Sequence, residues 1–328
     1  MTQFAPPIPK CIETINANAR RVIISLNPKA GRRSSSDLAY RLADILQSRG
    51  FQAEVETDIA TIKQLSDEYH DAGILRAVVG VGGDGTQSLL LNTIPEGANL
   101  CMFPQGTENV LGKYLGIKPS PDAIADLLEQ GQVLPMDAGQ VTDTSGKQYL
   151  FCLMAGCGFD ATVCERLAAR RTGHITKFSY IKPVIASLWN YSFPLIEIDV
   201  LDGDQEGFTA RFLFFMNIDR YALGLRIAPN SSPIDGKIDG CGFRKSGLFH
   251  GLRYFWKLCR KTHTRSPEYA TRSASEFRIH TTSAERVPVQ LDGDPCTELP
   301  VTLTTLPGRL RILVPQAYID QISTAQSD

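Results

Sequence analysis

The stretch VVGVGGDGTQSLLLN, residues 78–92, sets the tightest limit on what this chain can become. Val78, Val79 and Val81 are β-branched and read as the end of a buried strand, and a helical pattern opens near Thr86. Between them lie Gly82, Gly83 and Gly85. Glycines packed this closely let a backbone turn tightly and approach a ligand, so that consecutive N–H groups face phosphate oxygens at a helix N-terminus. A bare turn needs neither the acid Asp84 nor the hydroxyl of Thr86 inside those glycines. Asp84 suits a magnesium ion or a phosphate-linked water better than the phosphate, which would repel it.

Around this loop the chain alternates strand and helix. RVIISLN (21–27) reads as a buried strand, PKAGRRSSSD breaks it, and LAYRLADILQSRG carries Leu38, Leu42, Ile45 and Leu46 at helical spacing. FQAEVET predicts a strand, ATIKQLSDEYHDAG a helix, NLCMFP (99–104) a strand, and PDAIADLLEQG (121–131) a helix with Pro at its start and Gly past its end. This order predicts an N-terminal, Rossmann-like, doubly wound parallel sheet over residues 20–132. From 133 to 315 the pattern becomes mainly strands. VLPMDAGQVTD and KQYLFCLMAG pair around a Thr-Ser-Gly turn, and FDATVCERLAARR is an isolated helix. PLIEIDVLDGDQEGFTARFLFFMN reads as one hairpin, and EFRIHTTSAERVPVQLDG, PVTLTTL and GRLRILVP as further strands. A second, antiparallel β-sandwich domain is expected there, with residues 316–328 returning to the first.

Composition narrows the function. A formal charge of -1 over 328 residues gives no global pull toward nucleic acid, and no apolar run approaches membrane-spanning or signal-peptide length. The 8 cysteines lack a C-x-x-C pair and read as reduced core thiols, so the protein is expected in the cytoplasm.

Two further loops belong with residues 82–86. Asn27-Pro28-Lys29-Ala30-Gly31 follows the first strand, and Pro104-Gln105-Gly106-Thr107-Glu108-Asn109 follows the strand at 99–104. Carboxyl ends of parallel strands share one rim, and three polar loops there point to a nucleotide. NPKAG, GGDGT with its later Asn, and PxGTxN in this order resemble the diacylglycerol kinase catalytic family, notably bacterial lipid kinases of the YegS and DgkB type, with sphingosine and ceramide kinases as relatives. GCGFDATV (156–163), IAPNSSPIDGKIDG (227–240) and VQLDGDP (289–295) extend the resemblance from about residue 20 to 315.

The resemblance implies ATP-dependent phosphorylation of a lipid hydroxyl, of a diacylglycerol-like or sphingoid lipid, with Mg2+. Asn27, Gly31, Thr57, Gly82, Gly83, Asp84, Gly85, Thr86, Gln87, Ser88, Thr107 and Asn109 would line ATP. Asp84 and Asp137 would serve the magnesium and water network, and Asp235, Ser232 and Lys237 a second metal site. Asp294 stands where the family has its catalytic Glu, with Asp292 able to share the role of base. Val110 replaces a usual Asp, and Leu223 and Leu225 replace usual glycines. The alternatives are an NAD-kinase-like soluble-substrate kinase and an inactive nucleotide- or lipid-binding module.

The segment GCGFRKSGLFHGLRYFWKLCRKTHTR (240–265) holds seven Lys and Arg residues and no acid. Leu248, Leu252, Phe255, Trp256 and Cys259 recur on one helical side, which is expected to pack on the β-domain. Its basic residues, 244–265, would meet anionic lipid at the inner membrane face.

Overall fold

A computed structural model describes residues 12–26, 33–169, 189, 191–203 and 205–324. The chain forms two compact units, 1–136 with 307–328, and 137–306. It crosses from one to the other inside the strands Gln132–Thr142 and Val301–Leu313.

The first unit is built on a parallel sheet ordered Gln52–Glu56, Arg21–Leu26, Leu75–Gly82, Asn99–Pro104 and then the last part of Val301–Leu313. Arg21–Leu26, Leu75–Gly82 and Asn99–Pro104 have buried side chains almost throughout, as parallel strands covered on both faces must. The helices Arg33–Ser48, Ile59–Asp71, Asp84–Leu91 and Pro121–Gln130 supply the crossovers. Strand order reverses between Arg21–Leu26 and Leu75–Gly82, so the crevice of the sheet opens where those two strands end. Helix Arg33–Ser48 begins inside the stretch expected to be a break, because Ser and Asp are tolerated in a first helical turn.

One buried charge organises the rear of this unit. Arg76, 5% exposed, donates from Nε to the Leu128 carbonyl (2.7 Å) and from Nη2 to that of Glu129 (2.9 Å). These are orphan carbonyls at the C-terminus of Pro121–Gln130, where a cation is favoured. Its Nη1 reaches the carbonyls of Ile15 and Asn16 as well.

The second unit is a β-sandwich. Six antiparallel strands run in the order Tyr269–Ala274, Ile238–Phe243, Phe212–Met216, Met154–Gly158, Pro288–Leu291, Asp294–Glu298. Opposite them lie Phe208–Ala210, Ile196–Val200, Glu276–His280 and the first part of Val301–Leu313. Phe215 and Phe277 meet edge to face across the core, 5.1 Å between centroids, among Leu213, Ile198, Ile279 and Leu303.

Three sequence expectations are corrected here. The long hairpin breaks at Arg211: Phe208–Ala210 pairs with Ile196–Val200, but Phe212–Met216 moves into the other sheet between Met154–Gly158 and Ile238–Phe243. Both arms alternate apolar residues, and alternation does not say which sheet receives them. PVTLTTL and GRLRILVP form one strand, Val301–Leu313, in which Gly308 takes a φ of 66° without ending the ladder. The helix Leu248–Cys259 turns its apolar stripe outward: it sits on the domain through Gly251 and Tyr254, while Phe249, Leu252, Phe255 and Trp256 are exposed. Tyr254 stacks on Phe243 at 4.3 Å and its hydroxyl accepts from the Lys245 N–H, so a ring with a polar tip wins the inward face.

Among the described residues every cysteine is a free thiol; Cys101, Cys152, Cys157 and Cys241 are in the core as expected, whereas Cys259 is exposed, and no helix is long and apolar enough to cross a membrane. Replacing Arg76 by Leu strands four carbonyls without their cation, so Arg76→Leu should lower unfolding free energy by about 3 kcal/mol, read from urea denaturation of the full chain.

Candidate functional site

In the first unit the glycine loop is pressed directly onto its neighbour. A Cβ on Gly106 would fall 2.5 Å from the Gly83 Cα, so position 106 requires glycine for the two loops to touch, and a Cβ on Gly83 would be tight at 3.2 Å from the Gly106 Cα. The Gln105 N–H donates to the Gly82 carbonyl at 2.9 Å. Gly83 caps the helix Asp84–Leu91, whose first peptide N–H groups have no acceptor within the helix and face the end of the sheet. Gly82, Gly83, Gly85, the 8% exposed Thr86 and the half-buried Ser88 therefore stand at the carboxyl rim. Thr57 is exposed just past the strand Gln52–Glu56, and Thr107 is exposed in the loop after Asn99–Pro104. Asn27 and Gly31 lie outside the described residues.

Three of the polar residues in these loops hold the loops themselves. Asp84 accepts from the Val110 N–H through Oδ2 (2.9 Å) and from the Leu111 N–H through Oδ1 (3.0 Å), bracing the start of the helix Val110–Tyr114. Val110 thus contributes its peptide group. Asn109, at a φ of 47°, closes a ring with Gly106, accepting its N–H and donating to its carbonyl. Gln87 leaves the set a ligand can touch by its side chain: it is fully buried and donates to the Gly80 carbonyl at 3.0 Å. One turn of helix places Gln87 against the sheet rather than the rim, a direction the motif alone does not encode.

The second unit carries two acidic centres. In the first, Asp137 is 3% exposed, accepts from the Gly236 N–H at 2.7 Å, and donates its own N–H to Pro233. This joins Asp137 to the turn holding Ser232, Asp235 and Lys237; the Lys237 N–H donates to Asp235. Burial pushes the Asp235 carboxyl up to about 6, with Asp239 and Asp137 adding repulsion. Among the described residues no three Asp, Glu, His or Cys side chains converge for a metal, so an ion here would also need backbone oxygens. An all-oxygen environment with crowded carboxylates suits a hard cation such as magnesium, which would relieve that repulsion.

In the second centre, Leu291-Asp292-Gly293-Asp294 turns between two antiparallel strands, with positive φ at both Asp292 (51°) and Gly293 (92°), as a two-residue hairpin requires. The Asp292 carboxylate accepts peptide N–H groups from Cys152 (2.8 Å), Leu153 (2.8 Å) and Met154 (3.0 Å). Burial pushes its pKa up and these N–H groups oppose the shift. Both oxygens of Asp292 are thus occupied by backbone donors, which brace the turn. Asp294, one step past the turn, is half-buried.

The turn is held from behind by residues that motif reading passes over. Gln290, fully buried, accepts the Gly293 N–H at 2.7 Å and donates to Asp160 at 2.7 Å; Asp160 also accepts from the Tyr221 hydroxyl at 2.5 Å. Asn217, equally buried, donates to the carbonyls of Asp137 and Cys152, tying the two acidic centres together. Asp160 lies in the GCGFDATV segment and Gln290 in VQLDGDP, but neither carried a spacing signal of its own. Leu223, at a usual glycine position, holds a φ of 60°, so it keeps a conformation natural to glycine.

Removing the Asp292 carboxylate leaves three buried donors unpaired, and Asp292→Ala should cost about 3 kcal/mol in chemical denaturation. Asp235 gives a pH signature. Its carboxyl holds a proton longer folded than unfolded, so the associated stability is complete below its ordinary 3.8 and is lost as pH rises through about 6. Thermal midpoints in chelator should fall over that window in wild type, by roughly a few degrees. The fall should be smaller in Asp235→Asn or with added magnesium.

Comparison with known proteins agrees with both halves of this geometry. Residues 21–141 match the diacylglycerol kinase catalytic domain, and residues 154–314 match the YegS C-terminal NAD kinase beta sandwich-like domain. A diacylglycerol kinase of Mycobacterium tuberculosis is 27% identical over 308 residues, 90% of this chain and 96% of that protein. One from Bacillus subtilis is 25% identical over 315 residues, 92% and 99% of the two chains. A crystal structure of a diacylglycerol kinase from Bacillus anthracis superposes with a TM-score of 0.65 at 18% identity, covering 92% of this chain and 99% of that one, and shows the shared fold. With the catalytic domain followed by its β-sandwich partner along nearly the whole length, the chain belongs to the diacylglycerol kinase family of lipid kinases.

Proposed function

We propose that this protein transfers the γ-phosphate of ATP to a hydroxyl of a diacylglycerol-like or sphingoid lipid. The observation that carries the reading is the acid turn: three peptide N–H groups on Asp292 brace a tight hairpin that carries Asp294, half-buried, where the family resemblance has its catalytic acid. The names of the relatives favour a diacylglycerol acceptor.

In this reading the peptide groups of Gly82, Gly83 and Gly85 and the hydroxyl of Thr86 receive the phosphates, with Ser88, Thr57, Thr107, Asn27 and Gly31 around the nucleotide. The Asp294 carboxylate accepts the proton of the lipid hydroxyl as its oxygen forms a bond to the γ-phosphorus. The bond from that phosphorus to the bridging oxygen breaks, and ADP leaves. Bound magnesium would supply charge neutralisation along the polyphosphate. Asp84 and Asp137 would act toward it through water, since each carboxylate already accepts a peptide N–H. Asp235 and the backbone oxygens of Ser232 and Lys237 would hold the structural cation.

A soluble acceptor is the second reading, favoured by one observation: the β-sandwich matches a domain described as NAD kinase-like. Labelled phosphate transfer from ATP to diacylglycerol, sphingoid base, ceramide, phosphatidylglycerol and NAD separates the two. Label is expected on a lipid, with Asp294→Ala lowering kcat by about 10²–10⁴-fold and Asp294→Glu retaining most activity. Label on NAD alone would transfer the protein to the soluble-substrate reading, and none anywhere with ATP still bound would make it a binding module.

A further inference from the structure

The helix Leu248–Cys259 exposes an apolar stripe that its own domain leaves uncovered. Phe249 is 85% exposed, Trp256 55%, Phe255 50% and Leu252 48%, all on the side opposite Gly251 and Tyr254. Aromatic residues contiguous on one helical face are not ordinary surface scatter. The helix cannot roll to hide them, because Tyr254 is locked between Phe243 and Phe212.

The charges around the stripe identify what it meets. Glu268 pairs with Lys245 and Arg253, and Lys257 donates to Ser266. Arg244, Arg260, Lys261 and Arg265 have no ion-pair partner among the described residues. The Arg260 guanidinium lies over the Trp256 ring, 4.6 Å from its centroid. A second copy of this chain would bring the same cations face to face and repel. An anionic lipid surface satisfies both features, taking the aromatics into the headgroup and acyl boundary and the cations against phosphates.

We propose that the helix Leu248–Cys259 lies in the plane of an anionic bilayer, with Phe249, Leu252, Phe255 and Trp256 entering it and Arg244, Arg260, Lys261 and Arg265 against the headgroups. This reverses the arrangement in which the basic side alone meets lipid. The lipid-kinase reading supplies the reason for meeting a bilayer, but insertion is measured without turnover, so either reading can fail alone.

The test uses full-length Trp189→Phe protein, which leaves Trp256 as the sole tryptophan of the original 2. Vesicles of phosphatidylcholine with phosphatidylglycerol should blue-shift its emission, and brominated acyl chains should quench it. Phe249→Ser with Phe255→Ser, and separately Arg260→Glu with Lys261→Glu, should each weaken vesicle co-sedimentation by roughly tenfold or more, with unchanged thermal midpoints. Unquenched Trp256 on vesicles that do bind the protein would overturn insertion, as would variants that bind like the parent. A concentration-dependent dimer in sedimentation equilibrium, lost on Trp256→Ser in lipid-free buffer, would overturn it in favour of self-association.

Discussion

Three peptide N–H groups converging on one carboxylate pin the acid turn of the β-sandwich unit. The chain between Gln148–Phe151 and Met154–Gly158 stops pairing as a strand, and the donors of Cys152, Leu153 and Met154 would be buried without partners. Asp292 supplies the missing acceptors from the tip of a distant hairpin. Asn217 then extends the arrangement by bonding the carbonyl of Cys152 on one side and of Asp137 on the other. The position of Asp294 and that of the Asp235 turn are therefore consequences of one scaffold. Buried polar groups this connected are costly to disturb singly, and they fix one conformation where an apolar core of equal volume would allow several.

The same arrangement recurs in the parallel-sheet unit. Asp84 and Asn109 lie in motifs whose composition suggests ligand contact, and both spend side-chain atoms on neighbouring backbone. Residues that bond neighbouring backbone in this way fix the shape of the loops and the direction of their peptide groups. Gly83 against Gly106 is the sharpest instance, where a Cβ on Gly106 would meet the Gly83 Cα.

Much of this was legible in the sequence because it rests on local rules. Val78, Val79 and Val81 ahead of glycines gave the strand and its turn, Pro121 and Gly131 bracketed a helix, and Asp292-Gly293 marked a hairpin. What stayed hidden depends on contacts between distant residues. Arg76, Asn217, Gln290 and Asp160 sit singly among apolar neighbours, without a period or spacing to announce them, and apart from Gly293 their side chains reach partners 52 to 136 residues away. The helix Leu248–Cys259 is the instructive reversal. Its stripe was correctly located, but hydrophobic periodicity assigns a face without saying what covers it, and the polar-tipped Tyr254 decided the matter.

The strand Val301–Leu313 has an implication for the order in which the molecule can be made. Its last residues pair in parallel with Asn99–Pro104, Arg311 opposite Asn99, and close that edge of the first sheet. The sandwich unit, 137–306, is encoded between Asn99–Pro104 and those last residues. A chain emerging from the ribosome therefore carries its parallel sheet with one edge open until the sandwich has been synthesised, and the strand that closes that edge follows the sandwich. The half that appears first is the half that finishes last.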